Sequence, residues 1–244
     1  GNPDLVQSGG NGVVGTLLGR GDGTFYSVAW TNLNFNVQDL QVDDFNHDGK
    51  QDVVSGPYWY EGPDFKTRHA FMDASHVSKS KRFSDGTPVE FPGYKGALGN
   101  ENEYTRNFFA FTYDFNKDGW DDILVYGFPG QDASWFENPK GAEGHWKRHK
   151  VLSQVDNESP TWADIDGDGT PEIVCSVGGF FGYAPVGRKD PTAPWVFHRI
   201  SREVAGGRFT HGMGVGDVDG DGRPDILEKN GWWRQPESLA GDPL

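Results

Sequence analysis

Asp44-Phe45-Asn46-His47-Asp48-Gly49-Lys50-Gln51-Asp52, Asp114-Phe115-Asn116-Lys117-Asp118-Gly119-Trp120-Asp121-Asp122, Asp164-Ile165-Asp166-Gly167-Asp168-Gly169-Thr170-Pro171-Glu172 and Asp217-Val218-Asp219-Gly220-Asp221-Gly222-Arg223-Pro224-Asp225 are four copies of one nine-residue pattern. The rule is Asp at position 1, Asp or Asn at 3, Asp at 5, Gly at 6 and an acid at 9. Two apolar β-formers follow: Val53-Val54, Ile123-Leu124, Ile173-Val174 and Ile226-Leu227. Oxygen ligands at positions 1, 3 and 5 of a tight loop converge on one point, and glycine at position 6 permits the sharp reversal. The carbonyl of position 7 (Lys50, Trp120, Thr170, Arg223) and the carboxylate of position 9 complete an all-oxygen shell. Such a shell fits Ca2+, which takes six to eight oxygens at about 2.3–2.6 Å. No His or Cys stands at a ligand position, which disfavours zinc and copper. Magnesium asks for a stricter octahedron. Fourteen carboxylates occupy positions 1, 3, 5 and 9 of the four loops, and at short range they repel unless cations lie among them. Four structural Ca2+ ions are expected, changing the formal charge from −14 to −6.

These loops are not EF-hands. The bidentate Glu that an EF-hand needs at position 12 is replaced by Ser55, Val125, Cys175 and Glu228. Each loop instead runs into a short apolar strand, so it joins two strands. Position 9 recurs at intervals of 70, 50 and 53 residues. Spacings near 40–50 residues with several short strands predict propeller blades. An aromatic–proline motif follows each loop: Trp59 to Pro63, Trp135 to Pro139, Trp232 to Pro236 and, more weakly, Phe181 to Pro185. A strand with histidine comes next, at His69, His149 and His198. One blade is therefore read as strand A before the acidic loop, B after it, C with the aromatic–proline motif and D with the histidine. The expected layout is a partial blade at 1–30, blades at 37–72, 107–152 and 158–200, a partial blade at 210–244, and an inserted polar loop at 73–105. Gly1-Asn2-Pro3-Asp4 matches positions 6 to 9 of the loop, so the chain is expected to be an internal piece of a longer protein and an incomplete ring. The expected class is all-β.

Composition narrows the functions. The chain has 35 glycines and 15 prolines among 244 residues, and 34 aromatic residues that can bury a large apolar area, which marks a turn-rich globular protein. A net charge of −14 disfavours a nucleic-acid partner. No apolar run is long enough for a transmembrane helix. The single Cys175 excludes an internal disulfide and a Cys-rich zinc site.

The four loops, the strands that follow them and the glycine-rich stretch Gly15-Thr16-Leu17-Leu18-Gly19-Arg20-Gly21-Asp22-Gly23-Thr24-Phe25 resemble the FG-GAP/VCBS repeat family of integrin-α-like β-propellers. The resemblance implies calcium in the A–B loops and an extracytoplasmic location: secreted, periplasmic or cell-surface. The longer motifs around Trp59, Trp135 and Trp232 resemble a subgroup of large bacterial VCBS-repeat proteins. Ser134-Trp135-Phe136-Glu137-Asn138-Pro139 is similar to the propeller portion of aldos-2-ulose dehydratase-like proteins. Arg20-Gly21-Asp22 lies where the family has a turn and is read as turn chemistry. The periodic histidines are read as packing or hydrogen-bonding residues, and one of Trp232 and Trp233 as facing a neighbouring blade.

In this frame the D–A and B–C connections share the face opposite the acidic loops. Gln38, Arg106, Asn107, Asn157, Glu158 and His211 lie there and form the candidate ligand site. The expected function is a binding or scaffold module for a protein or glycan, with no catalytic residue assigned. The alternative is a carbohydrate lyase or dehydratase using Glu158 and His211 as an acid–base pair.

Overall fold

The computed structural model describes residues 5–9, 13–17, 20, 22, 24, 27, 29–32, 39–74, 77–81, 85–92, 107–203 and 205–239. All regular structure among them is strand, and no helix is long and apolar enough to cross a membrane. In chain order the strands are β1 (Leu5–Gly9), β2 (Val13–Leu17) and β3 (Ala29–Asn32); β4 (Gln41–Asp43), β5 (Asp52–Ser55), β6 (Tyr58–Tyr60) and β7 (Arg68–Ala70); β8 (Val77–Lys81) and β9 (Pro88–Pro92); β10 (Phe109–Tyr113), β11 (Asp122–Tyr126), β12 (Gln131–Glu137) and β13 (Lys147–Val155); β14 (Thr161–Ala163), β15 (Glu172–Val177), β16 (Phe180–Ala184) and β17 (His198–Arg199); β18 (Gly214–Gly216), β19 (Asp225–Glu228) and β20 (Gly231–Trp233).

Every sheet is a meander in sequence order. β4–β7, β10–β13 and β14–β17 are four-stranded, β1–β3 and β18–β20 three-stranded, and β8–β9 a hairpin. The antiparallel four-stranded unit is the one read from the sequence. Each acidic loop joins the first and second strands of its sheet, and position 9 opens the second strand: Asp43 pairs with Asp52, Tyr113 with Asp122, Ala163 with Glu172 and Gly216 with Asp225.

The chain divides into two compact units, Gly1–Phe128 with Phe136–Lys147 and Pro129–Trp135 with Arg148–Leu244. In the first unit, sheet β4–β7 buries both faces. Val53 and Tyr60 join Val14 and Phe65 in one core, while Val54 and Trp59 join Phe45, Phe71, Ile123, Phe136 and Trp146 in another. Alternate side chains of a strand point to opposite faces, so the pairs Val53-Val54 and Trp59-Tyr60 each serve two cores. Two-sided burial is also why β5 and β11 read as continuous apolar runs. In the second unit a core of Ile165, Val174, Tyr183 and Ile226 receives Met213, Val215 and Trp233. Trp233 lies 4.9 Å from Phe181 between ring centroids, whereas Trp232 is exposed.

Strand-D histidines sit flat on strand-C aromatics. His69 stacks on Trp59 at 4.2 Å, His149 on Trp135 at 4.3 Å and His198 on Tyr183 at 5.1 Å. The inserted stretch differs from a plain loop. β8 and β9 pair from Val77↔Pro92 to Lys81↔Pro88. Asp85 accepts the Thr87 N–H at 2.9 Å, and Gly86 has φ +70°. Turn chemistry at the reversal and prolines confined to the ends of β9 reconcile a polar, proline-bearing segment with a hairpin.

Candidate metal centre

The four loops share one hydrogen-bond frame. Position 1 accepts on both oxygens. Asp44 receives the Asp48 and Gly49 amides at 3.0 and 2.9 Å, and Asp114 those of Asp118 and Gly119 at 3.0 and 2.8 Å. Asp164 receives Gly167 and Gly169 at 2.8 and 2.9 Å, and Asp217 receives Gly220 and Gly222 at 2.7 and 2.9 Å. Position 3 accepts the amide of position 5, through Asn46, Asn116, Asp166 and Asp219 at 3.0–3.2 Å. Position 5 accepts the amide of position 7: Asp48 from Lys50, Asp118 from Trp120, Asp168 from Thr170 and Asp221 from Arg223, at 2.8–3.0 Å. The backbone is left-handed at position 6, with φ of 82–89°, and also at position 4: His47 58°, Lys117 58°, Gly167 78° and Gly220 77°.

Position 9 is buried and held from two sides. One oxygen accepts the amide of position 2: Phe45 to Asp52, Phe115 to Asp122, Ile165 to Glu172 and Val218 to Asp225, at 2.8–3.1 Å. In three loops the other oxygen accepts the amide preceding the motif proline: Gly62 to Asp52, Asn138 to Asp122 and Gln235 to Asp225, at 2.8–2.9 Å. Burial pushes Asp52 up to about 6 and Asp122 and Glu172 up to about 7, with neighbouring loop acids adding to the rise and the donated amides opposing it.

Each position-5 carboxylate also meets a cation. Lys50 Nζ lies 2.8 Å from Asp48, Lys140 Nζ 3.2 Å from Asp118 and Arg188 Nη2 2.7 Å from Asp168. Asp221 meets Arg223 and, at 2.9 Å, Arg234, whose Nε reaches Asp219 at 2.6 Å. Ligand oxygens of Asp164, Asp166 and Glu172, and of Asp217, Asp219 and Asp225, all lie within 4.8 Å of one another. Two oxygens on opposite sides of Ca2+ stand about 4.6–5.2 Å apart, so both sets have the reach to share one such ion. In the first two loops position 3 is Asn, and the neighbouring ring systems interlock: His47 stacks on Trp120 at 3.8 Å and 11°.

In the second unit, Glu158 and His211 come together, and Asn157 precedes Glu158 in the chain. Glu158 Oε2 is 2.7 Å from His211 Nε2, and Asn157 Oδ1 accepts the Ser176 N–H at 2.9 Å. In the first unit, Asn107 Nδ2 donates to Gly56 O at 2.8 Å. Gln38 and Arg106 lie outside the described residues.

The sequence reading passed over several residues. Asn138 Nδ2 donates to Phe45 O and to Asp121 O, each at 3.0 Å, and Gln235 Nε2 likewise reaches Ile165 O. Each ties its own strand C to the position-2 carbonyl of the preceding loop. Asp39, raised by burial, accepts the Ala110 N–H at 2.6 Å, and Ser159 accepts that of Met213 at 3.2 Å. Both stand five residues before a loop and hold the next sheet's first strand. The polar residue before the motif proline is the signal for the first pair. The second pair, one Asp and one Ser, has no common type to betray it.

Residues 114–175 match the family model of the FG-GAP-like repeat. No curated protein matches the chain. The matched segment runs from position 1 of the second loop through the third loop to Cys175 in β15.

Proposed function

We propose that the chain is a calcium-stabilised binding module of β-propeller type, working outside the cytoplasm. The FG-GAP-like repeat at 114–175 supports a module of this kind. The observation that carries the calcium reading is the common loop frame, with carboxylate oxygens in two loops converging within 4.8 Å. Asp44, Asn46, Asp48 and Asp52 would hold the first ion and Asp114, Asn116, Asp118 and Asp122 the second. Asp164, Asp166, Asp168 and Glu172 would hold the third, and Asp217, Asp219, Asp221 and Asp225 the fourth. The position-7 carbonyls of Lys50, Trp120, Thr170 and Arg223 would add a ligand each. The metal would neutralise acids that now rely on lysine and arginine partners, and would lock strand A to strand B. Millimolar external calcium fills even weak sites of this kind, which supports a secreted, periplasmic or surface setting.

The partner, a protein or a glycan, would meet the face opposite the loops, where the B–C and D–A connections gather. Calorimetric titration of calcium into the chelator-treated chain tests the proposal. About four ions should bind, and Asp166→Ala should remove one. Heats indistinguishable from dilution would contradict it. The 2.7 Å contact of Glu158 with His211 favours a second reading, an acid–base pair of a carbohydrate lyase or dehydratase. Turnover of a polysaccharide, lost in both Glu158→Gln and His211→Ala, would establish that reading over the first.

A further inference from the structure

Three cores of the chain are built alike, each from the forward face of one sheet and the backward face of the next. Val14 of β2 meets Val53 and Tyr60. Phe45, Val54 and Trp59 meet Ile123, Phe136 and Trp146. Ile165, Val174 and Tyr183 meet Ile226 and Trp233. In β4–β7 the forward set is position 2 of the acidic loop (Phe45), the second residue after position 9 (Val54) and the aromatic paired with it in the third strand (Trp59). All three are buried, and Phe45 lies 5.8 Å between ring centroids from Trp146, which leads into β13.

Sheet β18–β20 carries the same set without its cover. Val218 stands at position 2, and its amide donates to Asp225 as that of Phe45 does to Asp52. Leu227 pairs with Trp232 as Val54 does with Trp59, and directly paired residues of neighbouring strands share a face. Ile226 and Trp233 point the other way, and it is they that enter the core with Ile165 and Val174. Val218 is 44% and Trp232 41% exposed, against 1% for Phe45 and 8% for Trp59. Among the described residues no fourth strand pairs with β20, so no histidine lies over Trp232 as His69 lies over Trp59. The first sheet holds the complement. Val14, which pairs with Thr31, faces β4–β7, and Trp30 pairs with Gly15. Trp30 is therefore on the face turned away from β4–β7, and it is 51% exposed.

We infer that the forward face of β18–β20, with Val218, Leu227 and Trp232, docks a second copy of the chain, which presents the backward face of its β1–β3 sheet with Trp30. The internal cores say what fits a forward face: in each of them it is the backward face of another sheet of this kind. Among the described residues β1–β3 is the sheet whose backward face carries a large exposed apolar side chain. Apolar groups gathered on an exposed face mark contact sites, and two indoles supply a large area to bury. The two faces are unlike, so the contact is head-to-tail. Such contacts build a closed ring of copies or an open row.

Sedimentation of the full chain over about a hundredfold range of concentration tests this. The mass should rise with concentration above that of one chain. Trp232→Glu and Trp30→Glu should each weaken association tenfold or more, with the native melting temperature at the lowest concentration, since both rings are exposed. Trp232→Phe should stay within about threefold of the native chain. Val196→Glu, at an exposed valine that belongs to neither sheet, should leave association unchanged. Trp30→Glu mixed with Trp232→Glu should give pairs of one of each and nothing larger, because each variant keeps one competent face. A chain that stays monomeric throughout, whether its two faces meet each other or nothing, would overturn the inference. So would association that survives both tryptophan substitutions, or Trp30→Glu pairing with itself as tightly as the native chain does.

Discussion

Asn138 donates three hydrogen bonds, and accepts a fourth from the Lys140 N–H, at a position that sequence pattern marks only as the residue before a proline. Its backbone donates to Asp122 and its side chain to two carbonyls. Removing the side chain leaves the Phe45 and Asp121 carbonyls without that donor in a buried place. Asn138→Ala should therefore destabilise by about 1–3 kcal/mol, read from urea unfolding; a change below about 0.5 kcal/mol would refute this role. Gly62 occupies the same motif position in the first complete sheet and has no room for a methyl group: a Cβ would meet the Gln51 carbonyl oxygen. Position 4 of the loops teaches a related lesson. The sequence rule left it open, since His, Lys and Gly all occur there, yet all four copies are left-handed. The demand is on backbone angle, which glycine meets silently and Lys117 meets at a cost of up to about 1 kcal/mol. Lys117→Gly should raise the melting temperature slightly, with calcium binding preserved, and a lowered one would contradict it.

At the scale of the element, the acidic loop was legible almost whole because its chemistry is local. Positions 1, 3, 5 and 6 show as a fixed spacing, and the strand that follows shows as an apolar run. Less legible was position 9, whose burial between two amide donors depends on strand C about ten residues or more away. That burial has a pH consequence. Asp52 at about 6 and Asp122 and Glu172 at about 7 bind protons more tightly folded than unfolded, where carboxyls titrate near 4. Their contribution to stability is full below about pH 4 and is lost as pH rises through about 6–7. In chelator the melting temperature should fall between about pH 5 and about pH 7.5. In excess calcium, which requires the ionised carboxylates, it should rise over the same interval. A chelated chain that gains stability across that interval would refute the assignment. The fourth loop adds a second test. Arg234 contacts both Asp219 and Asp221, so calcium must compete with it, and Arg234→Gln should tighten that site a few-fold. Unchanged or weaker calcium binding in the variant would show that the arginine does not compete.

For the whole molecule, repetition made the fold readable. Four spaced loops and recurring aromatic–proline and histidine motifs gave four-stranded antiparallel sheets, and the sheets are found in that order. The β8–β9 hairpin was missed because it belongs to no repeat and its alternation is written in Ser, Lys, Val and Glu between prolines. That Glu158 and His211 meet follows from the β13–β14 and β17–β18 connections bonding to each other, and no spacing in the chain encodes it. Calcium would stiffen every sheet that carries a loop, because each loop closes the turn between a first and a second strand. Thermal unfolding in chelator, in calcium and in magnesium is therefore the most direct measurement. Calcium should raise the melting temperature clearly above the chelator value, by more than magnesium at equal concentration, in keeping with binding to the native state alone. A melting curve that is the same in chelator and in millimolar calcium would contradict it.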